Sequence, residues 1–379
     1  MESVLAAAER RADSALELLR AWVQQSSFSG DVGGVNAMGE LLKHAFGGFS
    51  ELTLQVRRGN GVGDHLFWRT PAWGTAADRH VLLVGHHDTV FPPGTFEGWK
   101  RTGDRIQGPG VLDMKGGIAV VHTAVAALHD TGRLANLPIG FISVGDEEIG
   151  SEDSRSFADE HATASSCALV FEAGRAQDAI ITRRKGTGAL TVKATGRAAH
   201  AGNCHADGIN AILALSRFIV EAQKLTDYDR GLTVNVGTIS GGSSRNTVPA
   251  YAECALDFRS ECAADGHALV SRLHQLSNDV ATEATFELIG GVKRPPLERT
   301  QASAALYERY ATAARASGLG DGEAALLGGG SDANNIAALG IPCLDGLGPR
   351  GAGFHTHDEY IEASSLPLRT AALIRFLLS

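Results

Sequence analysis

Short apolar runs alternate with a helix-like segment in the first half of the chain. The runs cover residues 81–84, 139–144 and 168–171, and apolar residues recur at helical spacing over residues 118–128. Each run is continuously apolar, which is typical of strands that are covered on both faces. The pattern therefore predicts an α/β domain with helices on both faces of a mixed sheet.

The pattern changes after about residue 185. Apolar and polar residues alternate over 190–195, 232–238 and 250–259, as they do in strands with one exposed face. Residues 208–225 and 265–284 have helical periodicity. This part of the chain is predicted to form an α+β module, in which two helices pack on a four-stranded antiparallel sheet.

The α/β pattern returns after Pro295 and Pro296, where residues 302–314 are predicted to form a helix. We therefore interpret the smaller module as an insertion into the larger domain. The predicted domains are residues 1–184 together with 296–379, and the inserted residues 185–295.

Composition and charge exclude several classes of protein. The 379 residues are 44% hydrophobic and 20% charged, as in folded globular proteins, and this length suits two domains. A net charge of −9 without any basic run argues against a nucleic-acid partner. No apolar run reaches about 18 residues, so no membrane contact is expected. The five cysteines have no repeated short spacing, which favours a reducing, cytoplasmic location.

Polar residues that can bind metal or move protons follow each predicted strand. His86 and Asp88 come after the first run, Glu147 and Glu148 after the second, and Glu172 after the third. Open α/β sheets bind their ligands at the carboxyl ends of their strands. His-x-Asp and Glu-Glu pairs are common on solvated surfaces, so it is their repeated placement at strand ends that points to a site.

Two further residues extend this set. Asp113 lies in a glycine-rich segment, residues 108–117, and His355 lies in a loop near the end of the chain. Imidazole and carboxylate groups together are suitable ligands for zinc. Spacing alone does not choose between His86 and its neighbour His87, or between His355 and the nearby His357.

Other catalytic signatures are absent or out of context. The chain has no Gly-x-Ser-x-Gly segment and no Gly-x4-Gly-Lys-Ser/Thr segment, which argues against a nucleophile-elbow hydrolase and a P-loop protein. A Gly-x-Gly-x-x-Gly match at 346–351 is followed by more glycine and the His355 loop, whereas a dinucleotide site must open a helix. Nothing beside Cys204 marks an activated thiolate.

The order and spacing of the candidate metal-binding segments resemble those of the M20 metallopeptidases. The matching segments are Gly85–Val90, Gly108–Gly117, Asp146–Ser151, Phe171–Glu172, and His355 with Glu359. Three further segments resemble the glutamate-carboxypeptidase branch, which is related to acetylornithine deacetylase and succinyl-diaminopimelate desuccinylase: Arg197–Gly202, Asn246–Pro249 and Gly328–Ala333. The resemblance implies a zinc-exopeptidase-like catalytic domain with an inserted lid or dimerisation domain.

The resemblance also implies roles for the strand-end residues. It assigns two zinc ions per chain, with cobalt or manganese as substitutes. His86 and Glu172 would bind the first ion, Glu148 and His355 the second, and Asp113 would bridge them. Asp88 would hold the imidazole of His86. Glu147 would be the general base. The ligand and catalytic positions are all filled, which disfavours the alternative of a non-catalytic binding protein on this fold.

Substrate contacts are implied in the inserted domain. His200 would donate a hydrogen bond to the developing oxyanion, and the substrate carboxylate would be held by Asn246, Arg259 and Arg294. The expected function is cleavage of an amide bond next to a free carboxylate in a small molecule or short peptide. A carboxypeptidase that releases an amino acid such as glutamate is the first interpretation, and an N-acyl-amino-acid deacylase is the alternative. A homodimer that pairs through residues 185–295 is expected.

Overall fold

The computed structural model describes residues 1–74, 80–281 and 283–379, which divide into two units. The first unit contains Met1–Arg183, Arg299–Leu326 and Ser331–Ser379, and the second contains Arg184–Glu298 and Leu327–Gly330. The sequence pattern places residues 327–330 in the larger domain, whereas in the structure they cluster with the second unit.

The helices predicted from apolar periodicity form close to their expected bounds. The segment predicted over 118–128 extends by two residues at each end, because the flanking glycines and polar residues continue the helix. The α-helices of the described residues are α1 Glu2–Arg10, α2 Ala12–Gln24, α3 Val32–Phe46, α4 Gly116–Asp130, α5 Arg155–Thr163, α6 Ala211–Gln223, α7 Ala263–Val280, α8 Gln301–Arg315, α9 Asp332–Ala337 and α10 Ser365–Leu377.

The three continuous apolar runs are strands, as predicted. They correspond to β3, β6 and β7, and the second of them keeps its predicted bounds. The strands of the described residues are β1 Thr53–Arg57, β2 His65–Arg69, β3 Val81–His86, β4 Lys100–Thr102, β5 Arg105–Gln107, β6 Ile139–Val144, β7 Cys167–Val170, β8 Gly186–Thr195, β9 Ala199–His200, β10 Thr233–Gly241, β11 Thr247–Val248, β12 Tyr251–Ser260, β13 Thr285–Arg294, β14 Cys343–Leu344, β15 Gly351–Ala352 and β16 Tyr360–Glu362.

The central sheet of the first unit is mixed, which confirms the predicted fold class. Its order is β1-β2-β6-β3-β7-β14. Strand β3 runs parallel to both β6 and β7, while β2 is antiparallel to β6. The residues that follow β3, β6 and β7 therefore lie at the same edge of the sheet.

Helix α4 forms much of the core of this unit. Ile118, Val121 and Leu128 have no exposed surface, and the helix packs against α1, α2 and α10. By length and composition, Val111–Asp130 is the one helical stretch of the described residues that could cross a membrane. However, 89% of its apolar window is buried inside the structure, as in a core helix, so this is weak evidence for a span.

A second, small sheet joins two distant parts of the first unit. Its order is β15-β16-β5-β4, and the end of β5 pairs antiparallel with the start of β16 through Gln107 and Tyr360. This register brings the segment after β5, which contains Asp113, beside the segment before β16, which contains His355. The sheet was not predicted, because each of its strands is too short for a periodic pattern.

The second unit contains the predicted antiparallel sheet. Its order is β10-β12-β8-β13, so β10 and β13 are the edge strands. Helices α6 and α7 pack on this sheet and against each other, around a core that includes Leu215, Phe218 and Phe258. A separate two-stranded ladder pairs β9 with β11.

Candidate metal centre

His86 lies at the end of β3, buried among acidic side chains. Its Nε2 atom is 3.2 Å from Asp113 Oδ1 and 3.6 Å from Glu172 Oε1. Its Nδ1 atom is 3.1 Å from the main-chain oxygen of Asp88 and 3.3 Å from the Oδ1 atom of that residue. The Nδ1–H group can therefore donate to Asp88, so Nε2 is the atom of His86 that would bind a metal ion beside the carboxylates.

The carboxylate of Asp113 lies between two imidazoles. Its Oδ1 atom faces His86, and its Oδ2 atom is 3.2 Å from Nε2 of His355. The same Nε2 atom is 3.1 Å from Oε2 of Glu148. Two sets of donor atoms therefore converge, each with its atoms within 4.8 Å of one another: His86 with Glu147 and Glu172, and His86 with Asp113 and Glu148.

The electrostatics of this cluster favour cations. Burial, reinforced by the charge of Asp113, raises the pKa of Glu172 well above its usual value. Burial also raises the pKa of Glu148. Hydrogen bonds to Asp113 and Glu148 raise the pKa of His355 to about 10. The two glutamate shifts follow from the burial of several carboxylates in one place, where a bound cation would stabilise their ionised forms.

The donor set fits two divalent metal ions. The four carboxylates of Asp113, Glu147, Glu148 and Glu172 carry a formal charge that two divalent cations would balance. The two imidazoles and these oxygens match the ligands that zinc takes in proteins. The residues that converge here are those predicted from the sequence to form the metal site and the base.

Glu147 and Glu148 are adjacent, but they face different partners. They begin a short 3₁₀ turn, Glu147–Ile149, which ends at Gly150 with a φ of 109°, a value that favours glycine. Within this turn, Glu148 reaches His355 while Glu147 groups with His86 and Glu172. The tight turn is therefore what separates the two side chains.

Asp88 contacts more of the site than predicted. Besides His86, its carboxylate accepts hydrogen bonds from the Ser29 hydroxyl at 2.7 Å and from the N–H groups of Glu147 at 3.2 Å and Glu148 at 3.1 Å. Asp88 therefore positions the turn that carries the two glutamates as well as the imidazole. Sequence reasoning missed Ser29, since no motif marks it.

The structure distinguishes His86 from His87 and His355 from His357 by their surroundings. His87 is buried with its Nδ1 atom 2.9 Å from the Ser143 hydroxyl, and burial lowers its pKa to about 3. His357 is exposed and stacks on the ring of Phe96, with centroids 5.4 Å apart. Neither belongs to the converging donor groups of the described residues, whereas His86 and His355 face the acidic cluster.

His200 lies in the second unit, in the β9–β11 ladder. It pairs with Thr247, and the next residue, Ala201, donates its N–H to the Asn246 carbonyl at 2.9 Å. Nδ1 of His200 accepts the N–H groups of Gly202 and Asn203, both at 3.1 Å. A neutral imidazole that accepts at Nδ1 carries its proton on Nε2, so His200 has a donor available for a substrate oxygen.

The two arginines predicted to bind substrate lie on either side of β8. Arg259 on β12 and Arg294 on β13 are both in register with Thr187. The guanidinium of Arg259 forms a two-point pair with Asp257, at 2.9 and 3.0 Å, and Arg294 is buried. His200 and Asn246 thus form one group in this unit, and Arg259 and Arg294 form another.

Imidazole and carboxylate groups that converge at the carboxyl edge of a parallel sheet are suited to metal-dependent hydrolysis of amide bonds, the chemistry of metallopeptidases and amidohydrolases. The model of the family described as Peptidase family M20/M25/M40 matches residues 82–379, and the chain belongs to this family. The expectation of an M20 metallopeptidase is therefore confirmed.

Two curated relatives span nearly the whole chain. Carboxypeptidase G2 from Pseudomonas sp. (strain RS-16) is 28% identical over 370 residues, which cover 96% of this chain and 88% of that protein. Succinyl-diaminopimelate desuccinylase from Gluconacetobacter diazotrophicus is 28% identical over 389 residues and covers 96% of both chains.

A solved structure shares the fold. The Bacillus subtilis YXEP protein, described as a dinuclear metal-binding peptidase of the M20 family, has a TM-score of 0.72 at 14% identity and covers 98% of both chains. At this identity the likeness shows the fold, with its catalytic domain and separate antiparallel module.

Proposed function

We propose that this protein is a two-zinc carboxypeptidase that releases a C-terminal amino acid such as glutamate. The observation that carries the proposal is the carboxylate of Asp113, which lies 3.2 Å from the Nε2 atoms of both His86 and His355. A carboxylate between two imidazoles, with further glutamates beside each of them, suits a ligand shared by two ions. The similarity to carboxypeptidase G2 supports the choice of reaction.

The metal ligands would be divided between two ions. His86 and Glu172 would hold one ion, Glu148 and His355 would hold the other, and Asp113 would hold both. Bound zinc supplies Lewis-acid polarisation of the scissile carbonyl and increased acidity of the attacking water.

Glu147 is the proposed general base. It takes the proton of the attacking water as the new C–O bond forms, and it delivers that proton to the amide nitrogen as the C–N bond breaks. The products are a free carboxylic acid and an amino acid with a free amine. Glu147 is buried at the end of β6 beside the donor cluster, which keeps its carboxylate near the reacting atoms.

The second unit would bind the remainder of the substrate. The Nε2–H group of His200 would donate to the carbonyl oxygen as negative charge develops on it. Asn246, Arg259 and Arg294 would hold the substrate carboxylate. Asp257 occupies the Nε and Nη2 edge of Arg259, so a substrate carboxylate would use the Nη1 side of this guanidinium or displace Asp257.

The division between base and ligand is tested by Glu147→Gln and Glu148→Gln. The first variant should retain two zinc ions per chain. Its kcat should fall by a factor of about 10² to 10⁴, which is the usual contribution of general acid–base catalysis. The second should lose zinc, because it removes a ligand. Metal analysis of the purified proteins distinguishes them, and a Glu147→Gln protein that loses zinc would reverse the assignment.

The substrate is tested with two panels. N-acyl-glutamates and peptides with C-terminal glutamate should be hydrolysed faster, by kcat/KM, than N-acetyl and N-succinyl derivatives of other amino acids. The similarity to the desuccinylase supports hydrolysis of the second panel as the alternative, since that relative also spans nearly the whole chain. Preference for that panel would make the protein an N-acyl-amino-acid deacylase.

A further inference from the structure

Glu359 is a buried carboxylate that has no role in the reaction described above. Its Oε2 atom accepts the N–H group of Gly110 at 3.1 Å, and its Oε1 atom accepts those of Leu112 at 2.7 Å and Asp113 at 3.0 Å. Hydrogen bonds to an ionised acceptor are roughly twice as strong as neutral ones. This carboxylate therefore holds the main chain that presents Asp113.

The same residue is connected to the segment that carries His355. Its N–H group donates to the Thr356 carbonyl at 3.2 Å, and its carbonyl accepts the Gly108 N–H at 3.4 Å. Glu359 is followed directly by β16, whose pairing with β5 fixes its position. One residue therefore links the two segments that place Asp113 and His355 at 3.2 Å from each other.

An acid in this position is costly to bury. Glu359 has no exposed surface. Its three main-chain N–H donors offset part of the cost of burying it. The donors that the described residues direct at this carboxylate are main-chain N–H groups, and the acid lies near a cluster of other carboxylates. It adds negative charge that the cluster does not need, so its role is positional.

We propose that Glu359 is a positioning residue that holds Asp113 between His86 and His355 and so sets the affinity of the site for its metal ions. The inference rests on the proposed function in one respect, since it takes Asp113 as the shared ligand. The carboxylates of Asp113, Glu148 and Glu172 repel one another before metal binds. Without Glu359, the segment of Asp113 relaxes away from them, and metal binding must reorder it.

The test uses two substitutions of Glu359 and one matched control. Glu359→Gln keeps the shape but places an amide NH2 group against main-chain N–H donors. Glu359→Asp keeps the charge with a shorter side chain. The control is Asp178→Asn, which alters another buried carboxylate of the same unit outside the donor cluster. It accepts a main-chain N–H from Gly320 at 3.1 Å and also pairs with Arg350 and Arg369.

Zinc affinity is measured on metal-depleted proteins by competition with a chromophoric chelator, and stability is measured by urea unfolding. Glu359→Gln should bind at least one zinc ion about 10- to 100-fold more weakly, the usual effect of losing a group that supports a ligand. Glu359→Asp should recover part of this affinity. Asp178→Asn should lower stability while its zinc affinity remains close to that of the wild type.

The proposal is overturned if Glu359→Gln binds both ions with wild-type affinity, or if Asp178→Asn weakens zinc binding equally. If the glutamine variant does not fold, the aspartate variant decides: wild-type zinc affinity in that protein would also overturn the proposal. Because these measurements need no substrate, a protein that binds two zinc ions but hydrolyses neither panel contradicts the proposed function alone.

Discussion

Asp88 illustrates how much of the site depends on single side chains. Among the described residues, its carboxylate has four partners, and all are donors: the Ser29 hydroxyl, the His86 ring and the N–H groups of Glu147 and Glu148. A carboxylate satisfies them all because both of its oxygens only accept. An amide of the same shape cannot, since its nitrogen would face donors.

Asp88→Asn should therefore lower kcat/KM by about 10- to 100-fold, because the imidazole and the turn with both glutamates lose their common support. Steady-state kinetics at saturating zinc measure this. Asp159→Asn is the control, as this half-buried carboxylate pairs with Arg155 on the same helix. Wild-type kinetics for Asp88→Asn would contradict the role that the structure gives to this residue.

His122 makes the stability of the protein dependent on pH. It packs against Trp22 and Phe46, with ring centroids 5.9 and 5.1 Å apart, and burial lowers its pKa to about 4. The unfolded chain has a histidine pKa of about 6.5 and so binds a proton that the folded protein excludes. The stability that neutral His122 contributes is therefore fully present above pH 6.5, and it is lost as the pH falls from 6.5 to about 4.

His122→Phe keeps an aromatic ring and cannot bind a proton. Both proteins are compared without metal. Between pH 6.5 and 4, the free energy of unfolding of the variant should fall less steeply than that of the wild type. Urea unfolding at several pH values in this range measures the two slopes. Equal slopes would show that His122 does not exclude a proton in the folded protein.

Helix α4 depends on a close approach to β7. A Cβ atom on Gly117 would lie 2.0 Å from the main-chain oxygen of Phe171, which directly precedes Glu172. Gly117→Ala should destabilise the protein by about 1–3 kcal/mol and weaken zinc binding, because helix and strand must move apart. Gly33→Ala, in α3, is the control: its nearest neighbour is a side-chain oxygen at 3.4 Å.

Urea unfolding and zinc competition report both effects for these variants. The control should be neutral or more stable by up to about 1 kcal/mol, since alanine reduces the freedom of the unfolded chain. If Gly117→Ala is as stable as the control, the contact between α4 and β7 is looser than the structure indicates.

The second unit has a surface that suits self-association, and we propose that the protein is a homodimer. Strand β10 is an edge of its sheet and carries Ile239, which is 57% exposed. Helix α6 exposes Leu213 by 50% and Val220 by 57%. Unpaired edges and exposed apolar side chains are typical of surfaces that bind another chain.

Light scattering should give the mass of a dimer, and Leu213→Asp with Val220→Asp should give a monomer. Glu221→Ala, on the same helix, is the control and should remain dimeric. A monomeric wild type at assay concentration would contradict the proposal.

In a dimer, mixing inactive His200→Ala and Glu147→Ala chains tests whether His200 acts across the interface. If it does, a mixed dimer has one site with both residues intact, and activity should return.

Local patterns along the chain are sufficient for the main elements and for most of the site. The apolar runs at β3, β6 and β7 specify buried strands because side chains alternate between two covered faces. Since parallel strands end at the same edge, the pattern by itself predicts that His86, Glu147 and Glu172 lie together. Helix α4 follows from apolar spacing, with glycine at its start.

Contacts between segments that are distant along the chain decided the remaining features of the site. Asp113 and His355 are far apart along the chain, and they meet because β5 pairs with β16, whose three residues have no periodic pattern. The choice of His86 over His87 depended on which face of β3 meets the acidic cluster, and the separate directions of Glu147 and Glu148 depended on a turn. Contacts such as those of Ser29 and Glu359 arise from packing between distant segments, so a local pattern carries no signal for them.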